Sequence, residues 1–142
     1  MKKIYLFLLG LFICTGTFAQ DNIPEEIKVV DKSPVARGCD PNASNPELKD
    51  CFTRVVTEQI LSKINASYLQ KHNLAPGMYK VHTTFSIDEK GKVQDVNANF
   101  EKTKIAKHFA KAVKSIARVE PAYIDNKPVK IFYAIPIKFV VN

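Results

Sequence analysis

Three histidines, three cysteines and a scatter of serines and carboxylates are the side chains here with chemistry to offer. His72, His82 and His108 fall in three separate stretches, and none stands in an H-x-x-x-H or similar ligand spacing, so no metal site is expected. No serine occupies a G-x-S-x-G context, and no glycine-rich phosphate loop is present. Asp88 and Glu89 are adjacent carboxylates, yet Asp88-Glu89-Lys90-Gly91 reads as a tight turn, and turn chemistry explains them better than acid–base work. A thiol nucleophile at Cys39 or Cys51 would need a reducing compartment. No catalytic residue and no cofactor is therefore expected, and the chain reads as a non-enzyme.

The N-terminus decides the compartment. Lys2 and Lys3 supply a positive region, Ile4 to Cys14 an apolar run of 11 residues, and Thr17-Phe18-Ala19 small residues at cleavage positions. About 20 apolar residues are needed to span a bilayer, so residues 1–19 read as a signal peptide cleaved after Ala19. The expected location is periplasmic or secreted, with no stable membrane span after removal. The alternative is inner-membrane anchoring through an uncleaved N-terminus. Phe12 and Ile13 replace the small residues that precede a lipidated cysteine, which argues against lipidation at Cys14.

Cleavage leaves 123 of the 142 residues, a length suited to one domain. It also leaves two cysteines, Cys39 and Cys51. An even count in an exported chain, without C-x-x-C spacing, favours a disulfide over two free thiols. The 21 Lys and Arg, less Lys2 and Lys3, stand at 19 against 14 acidic residues, net +5. Outside the cell this moderate charge is no argument for nucleic acid, and none is expected as a partner.

With chemistry set aside, the informative stretch is the last one. Lys130 to Val141 is β-branched or aromatic at almost every position, the mark of a strand, yet Pro136 sits inside it. Proline has no N–H to give to a ladder, so this strand must lie at a sheet edge. An edge leaves N–H and C=O groups unpaired, and they can accept an extended segment of another chain. Ile131, Tyr133, Ile135, Ile137 and Phe139 form one core-facing row. Phe132, Ala134, Pro136 and Val140 make the opposite face apolar as well, which calls for cover by the leader, by a second copy or by a partner.

The preceding elements must position that strand. Residues 20–45 read as an extended leader, with Ile27-Lys28-Val29-Val30 as a short strand. Asn45-Pro46-Glu47 predicts a helix start with Asn45 as N-cap, and apolar residues at Phe52, Val55, Val56, Ile60, Ile64 and Tyr68 carry the helix toward Asn73 and Pro76-Gly77. Tyr79 to Asp88 alternates as a strand. The turn 88–91 places Gly91 at positive φ, and Val93 to Phe100 returns with a slip between Val93 and Val96 that predicts a bulge. Thr103 to Arg118 reads as an amphipathic helix ended by Pro121, with Lys104, Lys107, Lys111, Lys114 and Arg118 as a basic stripe on its solvated side.

The expected fold class is α+β, with element order αββαβ over residues 46–142. The hairpin makes the first two strands antiparallel, and the second helix returns the chain across the sheet. Placing the last strand beside the first gives a three-stranded antiparallel sheet, order 2-1-3, with both helices packed on one face. That order puts the proline strand at an edge.

Phe85-Ser86-Ile87-Asp88-Glu89-Lys90-Gly91-Lys92-Val93, then Pro121-Ala122-Tyr123, then Pro128-Val129 leading into Ile135-Pro136-Ile137-Lys138-Phe139 resemble the TonB C-terminal domain. Gly38-Cys39 ahead of the first helix and Cys51-Phe52 in its second turn look like the short exported variant of Bacteroidetes-type bacteria. The resemblance covers about Gly38 to Val141. It implies a periplasmic module whose last strand, Ile131 to Phe139, pairs with a short segment of an outer-membrane transport receptor or another envelope protein. The rival expectation is a self-associating envelope protein, a homodimer pairing its last strand with its own copy. A full transducer of that family carries an uncleaved membrane helix and a long Pro-rich spacer. This chain has a leader of about 25 residues instead. Asn42-Ala43-Ser44 and Asn65-Ala66-Ser67 match the glycosylation sequon, which the bacterial resemblance makes a chance match.

Overall fold

The structure is a computed structural model and describes residues 29–142. The stretch expected to be a signal peptide, the leader up to residue 28 and Cys14 lie outside the described residues. Among the described residues no helix is long and apolar enough to cross a membrane.

The first helix, α1 (Asn45–Ser62), buries Leu48, Phe52, Val56 and Ile60, an i, i+4 row that forms its inner face. Its cap differs from expectation by one residue. Ser44 is the N-cap, and the Glu47 carboxylate accepts from the Ser44 N–H at 2.9 Å and its hydroxyl at 2.7 Å. Both bonds hold the Glu47 carboxyl below its ordinary range. Asn45 is instead the anchor of the leader. Its side chain accepts from the Ser33 N–H and donates to the carbonyls of Val30 and Asp31.

The apolar stripe beyond Ser62 continues, but the helix does not. The Asn65 side chain accepts from the backbone N–H groups of Ser67 and Tyr68 and so starts a separate short helix, α2 (Ala66–Lys71). Strands β1 (Gly77–Ile87) and β2 (Val93–Asn99) form the expected hairpin. The Asp88 carboxylate accepts from the N–H groups of Lys90 and Lys92, an Asx-type turn, and Gly91 takes φ 75°. The predicted bulge is present. Register shifts between Thr84 and Ser86, opposite Asp95, which has φ 49°.

Helix α3 (Thr103–Lys114) buries Ile105, Ala106, Phe109, Ala112 and Val113. It stops at Lys114 rather than Arg118, because the chain turns so that Val119 can bond back to Gly91. A further hairpin then precedes the last strand. Strands β3 (Ala122–Ile124) and β4 (Lys127–Val129) pair across Asp125 and Asn126, both at positive φ, as a tight two-residue connection requires. The last strand is β5 (Ile131–Val141).

The sheet order is β2-β1-β5, antiparallel throughout, which is the expected 2-1-3 arrangement in an α+β fold. α1 and α3 cover one face, where Val81, Phe85, Ile87, Ile135, Ile137 and Phe139 meet Phe52, Ile60 and Phe109. Short α2 and the β3–β4 hairpin are additions to that plan. The leader packs beside β3, bridging Lys32 to Tyr123 and Val35 to Glu120. Of the short strand expected at 27–30, residues 27 and 28 lie outside the described residues and Val29 and Val30 belong to no strand; the leader's bridges fall two and five residues past Val30. Cys39 and Cys51 form a disulfide that fastens the leader to α1, and closing that loop contributes about 3 kcal/mol.

Candidate edge-strand site

β5 is paired with β1 along its whole length, from Ile87 opposite Ile131 to Gly77 opposite Val141, without a register shift. Burial alternates along it as the period of a strand demands. Ile135, Ile137, Phe139 and Val141 are buried, and Tyr133 lies between the rings of Phe52 and Phe85 at centroid distances of 4.6 and 5.8 Å. Phe132, Ala134, Pro136, Lys138 and Val140 are exposed on the face away from the helices.

One hydrogen bond fixes which backbone groups face outward. The Thr83 hydroxyl on β1 donates to the Ile135 carbonyl at 2.7 Å, so that carbonyl points toward β1. The Ile135–Pro136 peptide is trans, so the nitrogen of Pro136 points the other way, out of the sheet. Backbone groups in a strand alternate sides. The N–H groups of Phe132, Ala134, Lys138 and Val140 therefore face outward, together with the carbonyls of those residues and of Pro136. The proline costs the β1 ladder nothing. It removes one donor from the outer flank.

Among the described residues no strand pairs with that flank. The sheet's other edge is a poorer acceptor. β2 has seven residues, and its bulge carries Asp95, whose carboxylate accepts from the Ser86 hydroxyl at 2.7 Å and pairs with Lys130. Lys130 and then Ser86 hold the Asp95 carboxyl below its ordinary range. The residues predicted as the contact strand, Ile131 to Phe139, thus divide by parity. The odd ones build the core, and the even ones turn their side chains and backbone groups outward.

The other residues singled out by type are placed as follows. Lys104, Lys107, Lys111 and Lys114 are exposed on α3, whereas Arg118 lies beyond it and donates from Nε to the Lys90 carbonyl. Asp88 is engaged by its own turn. The N–H of Lys92 is the largest influence lowering its carboxyl, which is what a turn residue and not a proton shuttle looks like. His82 is opposite Pro136 on the outer sheet face.

His72 and His108, read from the sequence as unrelated, converge on Tyr68, each ring 4.2 Å from the Tyr68 ring centroid. Burial, then Lys111 and His72, lower the His108 imidazole below its ordinary range. No group of three metal-ligating side chains exists among the described residues. The stack joins α2 to α3 and serves packing. Set against protein-family models, curated proteins and solved structures, the chain matches none.

Proposed function

We propose that this protein is a non-enzymatic, periplasmic interaction module resembling the TonB C-terminal domain. It pairs β5 with an extended segment of an outer-membrane transport receptor. The observation that carries the reading is the outer flank of β5: eleven residues of regular strand, no bulge, and no partner on that side among the described residues. The four outward N–H groups would contribute ~1 kcal/mol each, which alone corresponds to about millimolar affinity. Contacts from exposed side chains on the same face must add to that, and the interaction is weak and transient.

The rival reading is a homodimer through two β5 strands. Symmetry makes each copy present its Pro136, so the missing donor is met twice, whereas a guest strand meets it once. Exposed Phe132, at 70%, and Met78, at 76%, keep that rival in play, since apolar surface of this kind is normally covered by something.

The deciding experiment compares wild type with Lys138→Pro in a pull-down from envelope extract. The substitution removes an outward N–H and leaves the β1 ladder whole, so partner capture should be lost while the fold survives. Retention of every partner by the variant would sink strand addition. Sedimentation at micromolar concentration tests the rival, which a concentration-independent monomer removes. Mass spectrometry of the exported protein checks cleavage after Ala19.

A further inference from the structure

From Lys102 to Val119 the chain carries six cations and no carboxylate. Four of the six, Lys104, Lys107, Lys111 and Lys114, are exposed on α3. Their spacing of 3, 4 and 3 residues puts them in one row along the helix, about 15 Å from end to end at ~1.5 Å per residue. Like charges at these spacings repel one another and weaken the helix that carries them. The three ion pairs among the described residues, Lys32–Glu120, Arg54–Glu58 and Lys130–Asp95, engage none of the four. Glu101, the carboxylate nearest in sequence, lies at one end of the row and lines a cleft with Met78, Lys80 and His82. It leaves Lys107, Lys111 and Lys114 unmatched. Burial and then Lys111 lower the His108 imidazole, so the Lys111 charge is felt by its neighbours rather than cancelled.

The other side of α3 is fully engaged. Ile105, Phe109 and Val113 are buried in the core, so the helix has no apolar face left to sink into a partner or a bilayer. Beside the lysines no exposed aromatic or large aliphatic side chain stands on the helix. Protein interfaces are built around such side chains and are poor in lysine, so a folded partner finds no anchor here. Lysine also lacks the planar fork with which arginine grips a fixed carboxylate or phosphate. A row of flexible point charges over a flat helix suits an array of anionic groups that rearranges beneath it, and a fluid bilayer supplies one. α3 packs chiefly against β2, whereas β5 lies at the far edge of the sheet. A surface met by α3 therefore leaves the outer flank of β5 uncovered.

From this placement we infer that the lysine row of α3 is a peripheral docking surface for a bilayer carrying anionic phospholipid, held by headgroup phosphates without insertion. Strand addition at β5 is a separate event, which the docking neither requires nor blocks. Each lysine near an anionic surface raises partition about fivefold, so the four together give roughly 600-fold at most. Salt screens such an attraction over about 10 Å, which makes the docking reversible.

Vesicle co-sedimentation of the exported chain tests this, with one part phosphatidylglycerol to three of phosphatidylcholine against phosphatidylcholine alone. The chain should pellet with the anionic vesicles at ~0.05 M salt, be released from them at ~0.5 M, and stay in solution with the neutral ones. Lys111→Gln should weaken partition about fivefold, and Lys107→Gln combined with Lys111→Gln about 25-fold, with circular dichroism melts unchanged. Lys80 is exposed on the far side of the sheet. Lys80→Gln removes the same charge there and should change partition by less than about twofold. Partition no stronger to anionic than to neutral vesicles overturns the inference, as does an equal loss in Lys80→Gln and Lys111→Gln. Binding of isolated cell-wall sacculi through the same lysines, with none to phosphatidylglycerol, assigns the row to a wall polymer and overturns lipid docking.

Discussion

A Cβ added to Gly91 would lie 1.7 Å from the carbonyl oxygen of Val119, while the Val119 N–H donates to the Gly91 carbonyl at 3.0 Å. The β1–β2 turn and the exit of α3 are thus locked backbone to backbone. Gly91 also holds φ 75°, which a residue with a Cβ adopts only with strain. Gly91→Ala should therefore cost on the order of 3 kcal/mol, from the left-handed backbone and from the displaced contact together. Urea unfolding should show a large drop in midpoint. A change smaller than that of an exposed control such as Ala117→Gly would show that the two segments are free to separate.

The two flanks of β5 should respond oppositely to proline. Ile137 has its N–H in the β1 ladder and its side chain fully buried, so Ile137→Pro should cost about 3 kcal/mol or more and leave little folded protein. Lys138→Pro removes an outward N–H and should melt within a few degrees of wild type. Circular dichroism melts of the pair read this directly. Comparable losses in both variants would mean that the outer groups are already bonded within the molecule.

Local signals made most of this sheet readable in advance. Alternation in β1 and β5, the Asp88–Gly91 turn and the displaced apolar phase near Val96 are properties of neighbouring residues, and Pro136 carries its edge position in its own covalent structure. What escaped depends on partners distant in the chain. Nothing near Gly91 announces Val119, and nothing near Tyr68 announces that His108 will stack on it. The break before α2 was visible in Asn65, a good cap followed by Ser67, but the apolar stripe through Ile64 and Tyr68 spoke for one continuous helix. The β3–β4 hairpin was hidden by strands of three residues, too short to show a period. At the candidate site the row of exposed residues was legible, whereas the facing of Lys80 and Lys138 across β1 and β5 requires the register.

Tyr133 carries a defect. Its hydroxyl is buried with no hydrogen-bond partner among the described residues, and burial pushes its ionisation well above the ordinary phenol range. An unsatisfied buried hydroxyl costs ~1–3 kcal/mol, while the ring's stacking on Phe52 is independent of it. Tyr133→Phe should raise stability by about 1 kcal/mol, seen as a higher denaturation midpoint with an unchanged slope. A lower midpoint would reveal a partner for the hydroxyl.

The stack of His72, Tyr68 and His108 should make stability depend on pH just below neutrality. His108 Nε2 accepts from the Asn65 N–H at 3.5 Å, and a protonated ring cannot accept that bond. Burial is the main cause of its depressed pKa, and Lys111 and His72 add positive charge. The unfolded chain therefore binds the proton more readily than the folded one in the window below 6.5, the ordinary imidazole value. By linkage, stability is fully present above that value and falls as pH drops through the depressed one. The carboxyls of Asp88 and Asp95 are held below 3.8, so they weaken the fold only in stronger acid and leave this window to histidine. Unfolding free energies measured in steps from about pH 7.5 to about pH 5 should decline for wild type. His108→Gln, which keeps an acceptor but cannot charge, should flatten the slope; an equal decline in that variant would place the titrating group elsewhere.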